Sequence, residues 1–486
     1  MQIKFSIISL GLTLMSPLLL ATTLPKETLK TNGQLLYNIK PKTVESFSEM
    51  FEEAVFYGRI RSNSFAYVWD NPEDGSRENY LISGLGGSAI YKSANYKSFD
   101  FGAGLYYSYA FFDDSQFNAD ELGKGKDLIS RYDYLNTGNK AMGLLGQAYI
   151  NYTGVTKSTL TVGRQLVESF YAKSNDTKMI PNSFDGVVAQ STLLSNTEIK
   201  LAYLIEQKLR DHTQTHSVLM YDDRDIANFS QYNGNDDSAM HKGLTYTALK
   251  AAGVATDAPL ITGDLHNNSI KNLKADLSFY YVPELLSEVM VELNYKINFD
   301  GFSLTPGVRY IKQFDDKAGK IGGASLKGGV NSSNPAGYKD PNSLESQMIA
   351  ARLVFKMQNY KLNLGYTQVM DEADLVTPWR GFPTAGYTRS MARYNWQANT
   401  KSYRIELVRN ANRLGIYKNT FIQASILHTD ADESKGYYDE NYYYIGFVQN
   451  LESLSSLQWR LRLGYQDTDK IDADGLDARL EFNYLF

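Results

Sequence analysis

The side chains best placed to do chemistry in this chain are charges spaced two residues apart. In eight segments, Ile199–Ile205, Ala275–Tyr281, Val289–Ile297, Leu304–Tyr310, Ala351–Met357, Tyr403–Leu407, Trp459–Tyr465 and Ala478–Phe486, one parity holds only apolar or aromatic residues apart from Pro306. The other parity holds Lys200, Asp276, Glu292, Lys296, Arg309, Arg352, Lys356, Arg404, Glu406, Arg460, Arg462, Arg479 and Glu481, thirteen charges of which nine are basic. Side chains alternate faces along a strand, so each segment reads as a strand with one greasy and one charged side. Such a wall makes and breaks no bonds. It can attract, orient and sort small charged solutes along a wet passage.

Candidates for covalent or metal chemistry are sparse. The chain has no cysteine, hence no thiol nucleophile, disulfide framework or thiolate metal site. No Gly-x-Ser-x-Gly elbow occurs. Gly84-x-Gly86-x-x-Ala89 fits a dinucleotide fingerprint formally, but Tyr, Lys and Ser follow where a helix should run, so these read as strand glycines. His212 and His216 have a metal-ligand spacing, yet they fall at a strand-to-loop junction without a third ligand, and a solvated loop is expected. Asp467, Asp469, Asp472, Asp474 and Asp477 miss the EF-hand pattern because Lys470 occupies a needed position. A solvated acidic turn is expected there, with a loose calcium site as the alternative. No catalytic residue, cofactor or resident metal is expected. The enzymatic rival is a hydrolase using His212, His216 or His428.

The elements that must position these charges are strands, and two architectures fit them. A soluble β-sandwich turns its apolar faces to a core, whereas a membrane barrel turns them to lipid. Two features favour the barrel. Aromatics gather near strand ends, as in membrane girdles, and the charged parity is dense in arginine. An Arg or Lys facing lipid at mid-membrane costs about 2–4 kcal/mol, so these charges must line a wet lumen. The terminal strand Ala478–Phe486 suits the closing strand of such a cylinder.

The amino terminus agrees. Met1–Ala21 carries one Lys and then a short apolar run ending on a small residue, the pattern of a secretory signal peptide cleaved after Ala21. Beyond it no window of eighteen apolar residues exists, which excludes helical spans. The formal charge of -5 argues against nucleic acid as a partner.

Strands are expected at 55–68, 79–92, 99–112, 141–154, 158–168, 186–194, 198–209, 272–282, 287–298, 302–313, 347–357, 360–369, 400–409, 417–428, 440–449, 457–466 and 477–486. With both chain ends on one side the number must be even, so Lys242–Lys250 is the candidate for one more. The expected fold is therefore an all-β transmembrane antiparallel barrel of 18 strands, with 16 as the alternative. The organisation is a signal peptide at 1–21, a periplasmic segment at 22–53 and the barrel at 54–486. Val44, Phe47, Met50, Phe51, Ala54 and Val55 sit at helical spacing and predict a short helix on the rim or plugging it.

Three segments carry a resemblance. Thr161–Leu166 followed by Ser174–Gly186, the glycine-rich Gly84–Ala94, and Pro378–Ser390 resemble OprD-type outer-membrane porins and the epsilon-proteobacterial major outer-membrane porins. The likeness runs from about residue 50 onward and fades over about 210–270. It implies an 18-stranded barrel whose third loop, about Ser169–Asp185, folds inward as the pore constriction. Asp176, Lys178 and Asp185 are then its eyelet charges. Arg309, Arg352, Lys356, Arg404, Arg460 and Arg462 are candidates for a basic pore wall by alternation. Arg164 joins them with an ambiguous parity. The resemblance further implies a homotrimer.

The expected function is passive diffusion of small hydrophilic, often charged, solutes and ions across a bacterial outer membrane. Its lipid and lipopolysaccharide would be the other partners. An adhesin or structural barrel without conductance is the alternative.

Overall fold

The computed structural model describes residues 34–35, 41–70, 79–113, 127–219, 223, 240–410, 420–451, 453–454 and 456–486. The expected signal peptide lies outside them. Among the described residues, one antiparallel sheet of eighteen long strands closes on itself. The first nine are β1 (Val55–Trp69), β2 (Tyr80–Lys92), β3 (Phe99–Asp113), β4 (Ala141–Tyr152), β5 (Ser158–Gln165), β6 (Ser183–Ser191), β7 (Thr197–Lys208), β8 (Leu260–Asn267) and β9 (Leu273–Val282). The second nine are β10 (Leu286–Tyr295), β11 (Phe302–Asp315), β12 (Ser346–Met357), β13 (Tyr360–Val369), β14 (Lys401–Arg409), β15 (Thr420–Asp430), β16 (Glu440–Asn450), β17 (Leu457–Thr468) and β18 (Gly475–Leu485). β18 pairs with β1 from Arg59↔Leu485 to Trp69↔Gly475, which closes the cylinder.

The alternation predicted from sequence sets which side is which. On β1, Arg59 and Arg61 are each 1% exposed while Ile60 between them is 53% exposed. The apolar parity thus faces outward around the ring, as only a lipid-embedded wall allows. The inside is filled by polar wall residues and by loops that fold back from one end. At the opposite end most of the described turns are short. Asn196 and Asn272 hold left-handed φ values of 54° and 66° in two of them, a conformation asparagine tolerates better than most residues.

The eighth strand is not where it was expected. Tyr246–Ala251 is a helix, capped by the Thr245 hydroxyl accepting from the Ala248 amide at 3.1 Å. Ala248, Leu249 and Ala251 favour that helix once the cap is in place. The strand is instead Leu260–Asn267, paired with β7 and β9. Its outward side carries Gly263 and its lumen side begins with Leu260, so the alternation is blurred.

The rim helix Glu49–Glu52 sits outside the lumen. Phe47 and Phe51 are exposed; Phe47 packs edge-on against Tyr96 and Phe51 lies tilted against Phe101 at the turn end of the wall. Upstream the chain re-enters the lumen: Leu35 is buried in a cluster that includes Tyr57, Ile90 and Met179. Gln34 Nε2 donates to Glu168 Oε1 at 2.7 Å. That part of the expected periplasmic segment is therefore inside the barrel.

Candidate pore and its constriction

The loop between β5 and β6, residues 166–182, crosses the lumen. At its start the Phe170 amide is held by both Asp264 carboxylate oxygens, at 3.1 and 3.2 Å, on β8. At its tip the buried Asp176 carboxylate forms ion pairs with Arg59 and Arg61 on β1. The Thr177 carbonyl accepts from Arg460 at 3.2 Å. Lys178 pairs with Asp127 at 2.7 Å, and Arg210 reaches the same carboxylate at 2.8 Å, which ties the loops after β3, β5 and β7 together. Glycines in the wall permit this docking: a Cβ on Gly86 would meet the Tyr107 carbonyl and the Met179 methyl. The supposed dinucleotide fingerprint is thus plain strand β2.

Asp185 departs from its expected place. β6 begins at Ser183, so Asp185 belongs to a strand, opposite Arg164 on β5. Arg164 grips it with Nε and Nη2, each at 2.7 Å. Arg164 shares parity with the outward Leu160 and Val162, so both residues sit on the outer face and not in the pore. On β6 Asp185 shares the outward parity of Val187 and Ala189, a signal that applies only once the residue is read as part of the strand and not of the loop.

A second inward loop was not anticipated. Residues 370–400, between β13 and β14, fold onto the first: the Lys173 amide donates to the Trp379 carbonyl at 2.9 Å, and Ala172 bridges Arg380. Gly381 lies so close to the Phe170 and Tyr171 carbonyls that a side chain there is excluded. Trp379, Trp396 and Tyr387 are fully buried or nearly so. The density of Trp and Tyr in 379–396 was the available signal, because a solvated loop has no use for buried indoles.

The basic wall residues hold these loops and one another. Arg309 pairs with Glu292 and donates to the Pro383 and Ala385 carbonyls at 2.6 and 3.0 Å. Arg352 contacts Glu292 at 2.9 Å and the Gly386 carbonyl at 3.0 Å. Arg404 pairs with Glu406, while Arg460 and Arg462 share Glu481. Lys356 is exposed near the turn end, opposite Lys361.

Charge is separated around the wall. Arg59, Arg61, Arg460, Arg462 and Arg479 cluster on the adjoining β17, β18 and β1 with Asp176, Asp477 and Glu481. Across the lumen, Asp264, Asp276 and Glu292 cluster on β8, β9 and β10, where Lys274, Arg309 and Arg352 pair with the last two. A recess of roughly 300 Å³ opens at this acidic side, lined by Glu168, Lys173, Asp264, His266, Asp276 and Arg309 among others.

At the loop end one buried carboxylate joins three loops. Asp374 Oδ1 accepts from the Ala398 amide and the Tyr338 hydroxyl, each at 2.8 Å. Its Oδ2 accepts from the Leu326 amide at 2.9 Å and the Tyr437 hydroxyl at 2.8 Å. Burial pushes this carboxyl above its ordinary range although all four donors oppose the shift.

His212 and His216 lie in the loop after β7 with rings 4.9 Å apart. Further along that loop the buried His241 sets Nε2 at 2.9 Å from the Gly323 carbonyl, and its Nδ1 accepts from the Gly243 amide at 3.0 Å. Burial lowers its pKa from 6.5 to about 4. A depressed histidine contributes stability that is complete above its unfolded pKa and is lost as pH falls toward the folded value. This contact is expected to weaken by about 2 kcal/mol at pH 5 relative to pH 7. Lower protection factors for the amides of 240–244 and 318–323 at pH 5 than at pH 7, a drop absent in His241→Gln, check it.

No protein-family profile and no curated protein sequence matches the chain. Solved structures do. The outer membrane protein OpdK of Pseudomonas aeruginosa superposes with a TM-score of 0.66 at 12% identity, over 90% of this chain and 99% of that one. OccAB1 of Acinetobacter baumannii gives 0.69 at 13% identity, over 90% and 97%. OccK8 (OprE) of Pseudomonas aeruginosa gives 0.67 at 12% identity, over 90% and 99%. The chain therefore has the closed 18-stranded fold of the OprD and Occ porins, which the resemblance implied.

Proposed function

We propose that this protein is an outer-membrane porin through which small hydrophilic, charged solutes diffuse passively. One observation carries the reading: a closed barrel, greasy over most of its outside, lines its lumen with charges of both signs, densest in arginine on β17, β18 and β1, with a loop strung across them. A transverse field of this kind orients zwitterions and lowers the barrier for solutes bearing both signs. OpdK has been solved with vanillate, an anionic ligand, which fits a basic pole as one contact surface. The chain reaches the outer membrane by export, with its signal peptide removed.

Purified protein in a planar bilayer is expected to give stable stepwise conductance; a silent membrane would sink the proposal. Replacing Arg460 and Arg462 together with glutamine removes two positive charges and leaves Glu481 on the wall. Reversal potentials in a salt gradient are expected to move toward cation preference. Unchanged potentials would place this pole off the permeation path.

A further inference from the structure

We infer that the chain ahead of the barrel is an internal strap, running from the turn-end rim into the lumen, which braces the constriction loop and narrows the passage until it is released. The narrowing rests on the porin reading proposed above; the placement of the strap does not.

The strap is fixed at two points. At the rim, Thr43 and Val44 pair in parallel with Asn95 and Tyr96, and the Asn95 amide donates to the Lys42 carbonyl at 2.6 Å. Inside, Leu35 is 1% exposed and belongs to the cluster of Tyr57, Ile90, Met179 and Ile180. Tyr57 and Ile90 face each other across β1 and β2 near the turn end. Met179 and Ile180 come from the returning limb of the loop between β5 and β6. Leu35 therefore joins the turn-end wall to the constriction loop. Six peptide units separate it from Pro41, a reach of about 20 Å, enough to pass from the rim toward mid-lumen.

Gln34 carries the contact that matters for transport. Its Nε2 donates to Glu168 Oε1 at 2.7 Å and to the Ser174 hydroxyl at 3.4 Å. These two residues close the base of the loop tip. The Ser174 amide donates to the same Glu168 oxygen at 3.3 Å, the Ser174 hydroxyl donates to it as well, and Glu168 bridges Lys173. Glu168 also lines the acidic recess and is open to the lumen. One carboxylate thus serves strap, loop and recess, so the tip of the strap lies beside the path that solutes take.

The chemistry of this hold suits release. A carboxamide on a carboxylate is a hydrogen bond and not an ion pair, and water can take its place at an exposed acceptor. Leu35 adds a hold that comes from leaving water. A segment held in this way at its tip opens locally while the ladders of the barrel stay closed. Release clears the turn-end half of the lumen and uncovers Glu168.

The chain has no cysteine, so an introduced pair reports alone. Q34C/S174C in native outer membranes is expected to be bridged by dibromobimane, a short bis-thiol reagent that fluoresces once both ends have reacted. Q34C/S195C, with its second thiol on an exposed turn, is expected to stay unbridged. Leu35→Asp puts a charge into a dry cluster and is expected to free the strap. Unit conductance then rises by about twofold, since a wider wet path carries more ions. Bridging L35D/Q34C/S174C returns it to the wild-type level. Migration of unheated protein in gels shows which barrels are folded, and Leu35→Ala gives a smaller rise should Leu35→Asp fail to fold. A folded Q34C/S174C that is not bridged would place the segment elsewhere and overturn the inference. Conductance that is present but equal in wild type and both Leu35 variants would overturn it as well. Silence from wild type and variants alike would retire the porin reading and the narrowing with it, whatever the cross-link shows.

Discussion

Replacing Asp176 with alanine is expected to lower the stability of the folded barrel by about 3–5 kcal/mol and, on the proposed porin reading, to change its unit conductance. The carboxylate is fully buried between Arg59 and Arg61, which are themselves almost inaccessible. Removing it takes a shared counter-charge from two enclosed guanidiniums, and breaking a buried ion pair by deleting one partner is the costly case. The effect is local to the loop tip. Its other end remains fixed by Asp264 on the Phe170 amide, and Thr177 and Lys178 keep their contacts, so the tip shifts without leaving the lumen and the shape of the opening changes. Gel mobility of folded and heated protein reads the first effect, and single-channel recording reads the second. Asp176→Asn separates charge from volume and should retain a smaller part of the loss. A double variant with Arg59→Gln should cost less than the sum of the two single changes, since both remove one interaction. An unshifted transition together with an unchanged conductance would mean that the loop is held by packing alone.

Replacing Asp374 with alanine is expected to loosen the loops at 316–345, 370–400 and 431–439 together. Two amides, from Leu326 and Ala398, lose their acceptor in a buried setting, at about 1–3 kcal/mol each, and two tyrosine hydroxyls lose theirs. Asp374→Asn keeps the Oδ1 contacts with Ala398 and Tyr338 and gives up those of Oδ2. Burial already disfavours the ionised carboxyl, so asparagine should cost less than alanine. A carboxyl with a raised folded pKa binds its proton more tightly in the folded state. Acidification through the carboxylate range therefore favours this hub, opposite in sign to His241. Limited proteolysis of intact cells across the three loops measures the ranking. Equal cleavage in all variants would show that the loops order independently of this carboxylate.

These two carboxylates mark the boundary of what local pattern conveys. Asp176 was recognisable as a loop charge through the resemblance, but its arginine partners stand more than a hundred residues earlier. Arg59 and Arg61 themselves were not singled out, because β1 interleaves Ser, Asn and Gly with its apolar residues. Asp374 gave no signal at all. Its donors come from three separate loops, and nothing in Ala373-Asp-Leu375 announces a hub. The inward fold of 370–400 was missed for the same reason, although Trp379 and Trp396 were visible as aromatics in an otherwise polar stretch.

The amino-acid sequence alone determined that this is a wall of alternating strands, charged within and greasy without, and it set nearly all of the strand positions. That information is local, since a period of two is written into every segment and a single misplaced charge would face lipid. Tertiary structure alone decided the rest. It chose Leu260–Asn267 as the eighth strand, turned Arg164 and Asp185 outward, carried two loops across the lumen and matched Arg309, Arg352, Arg404, Arg460 and Arg462 to carboxylates. Such choices depend on which surfaces meet when the ring closes. Closure joins residues hundreds of positions apart, where no periodicity reaches.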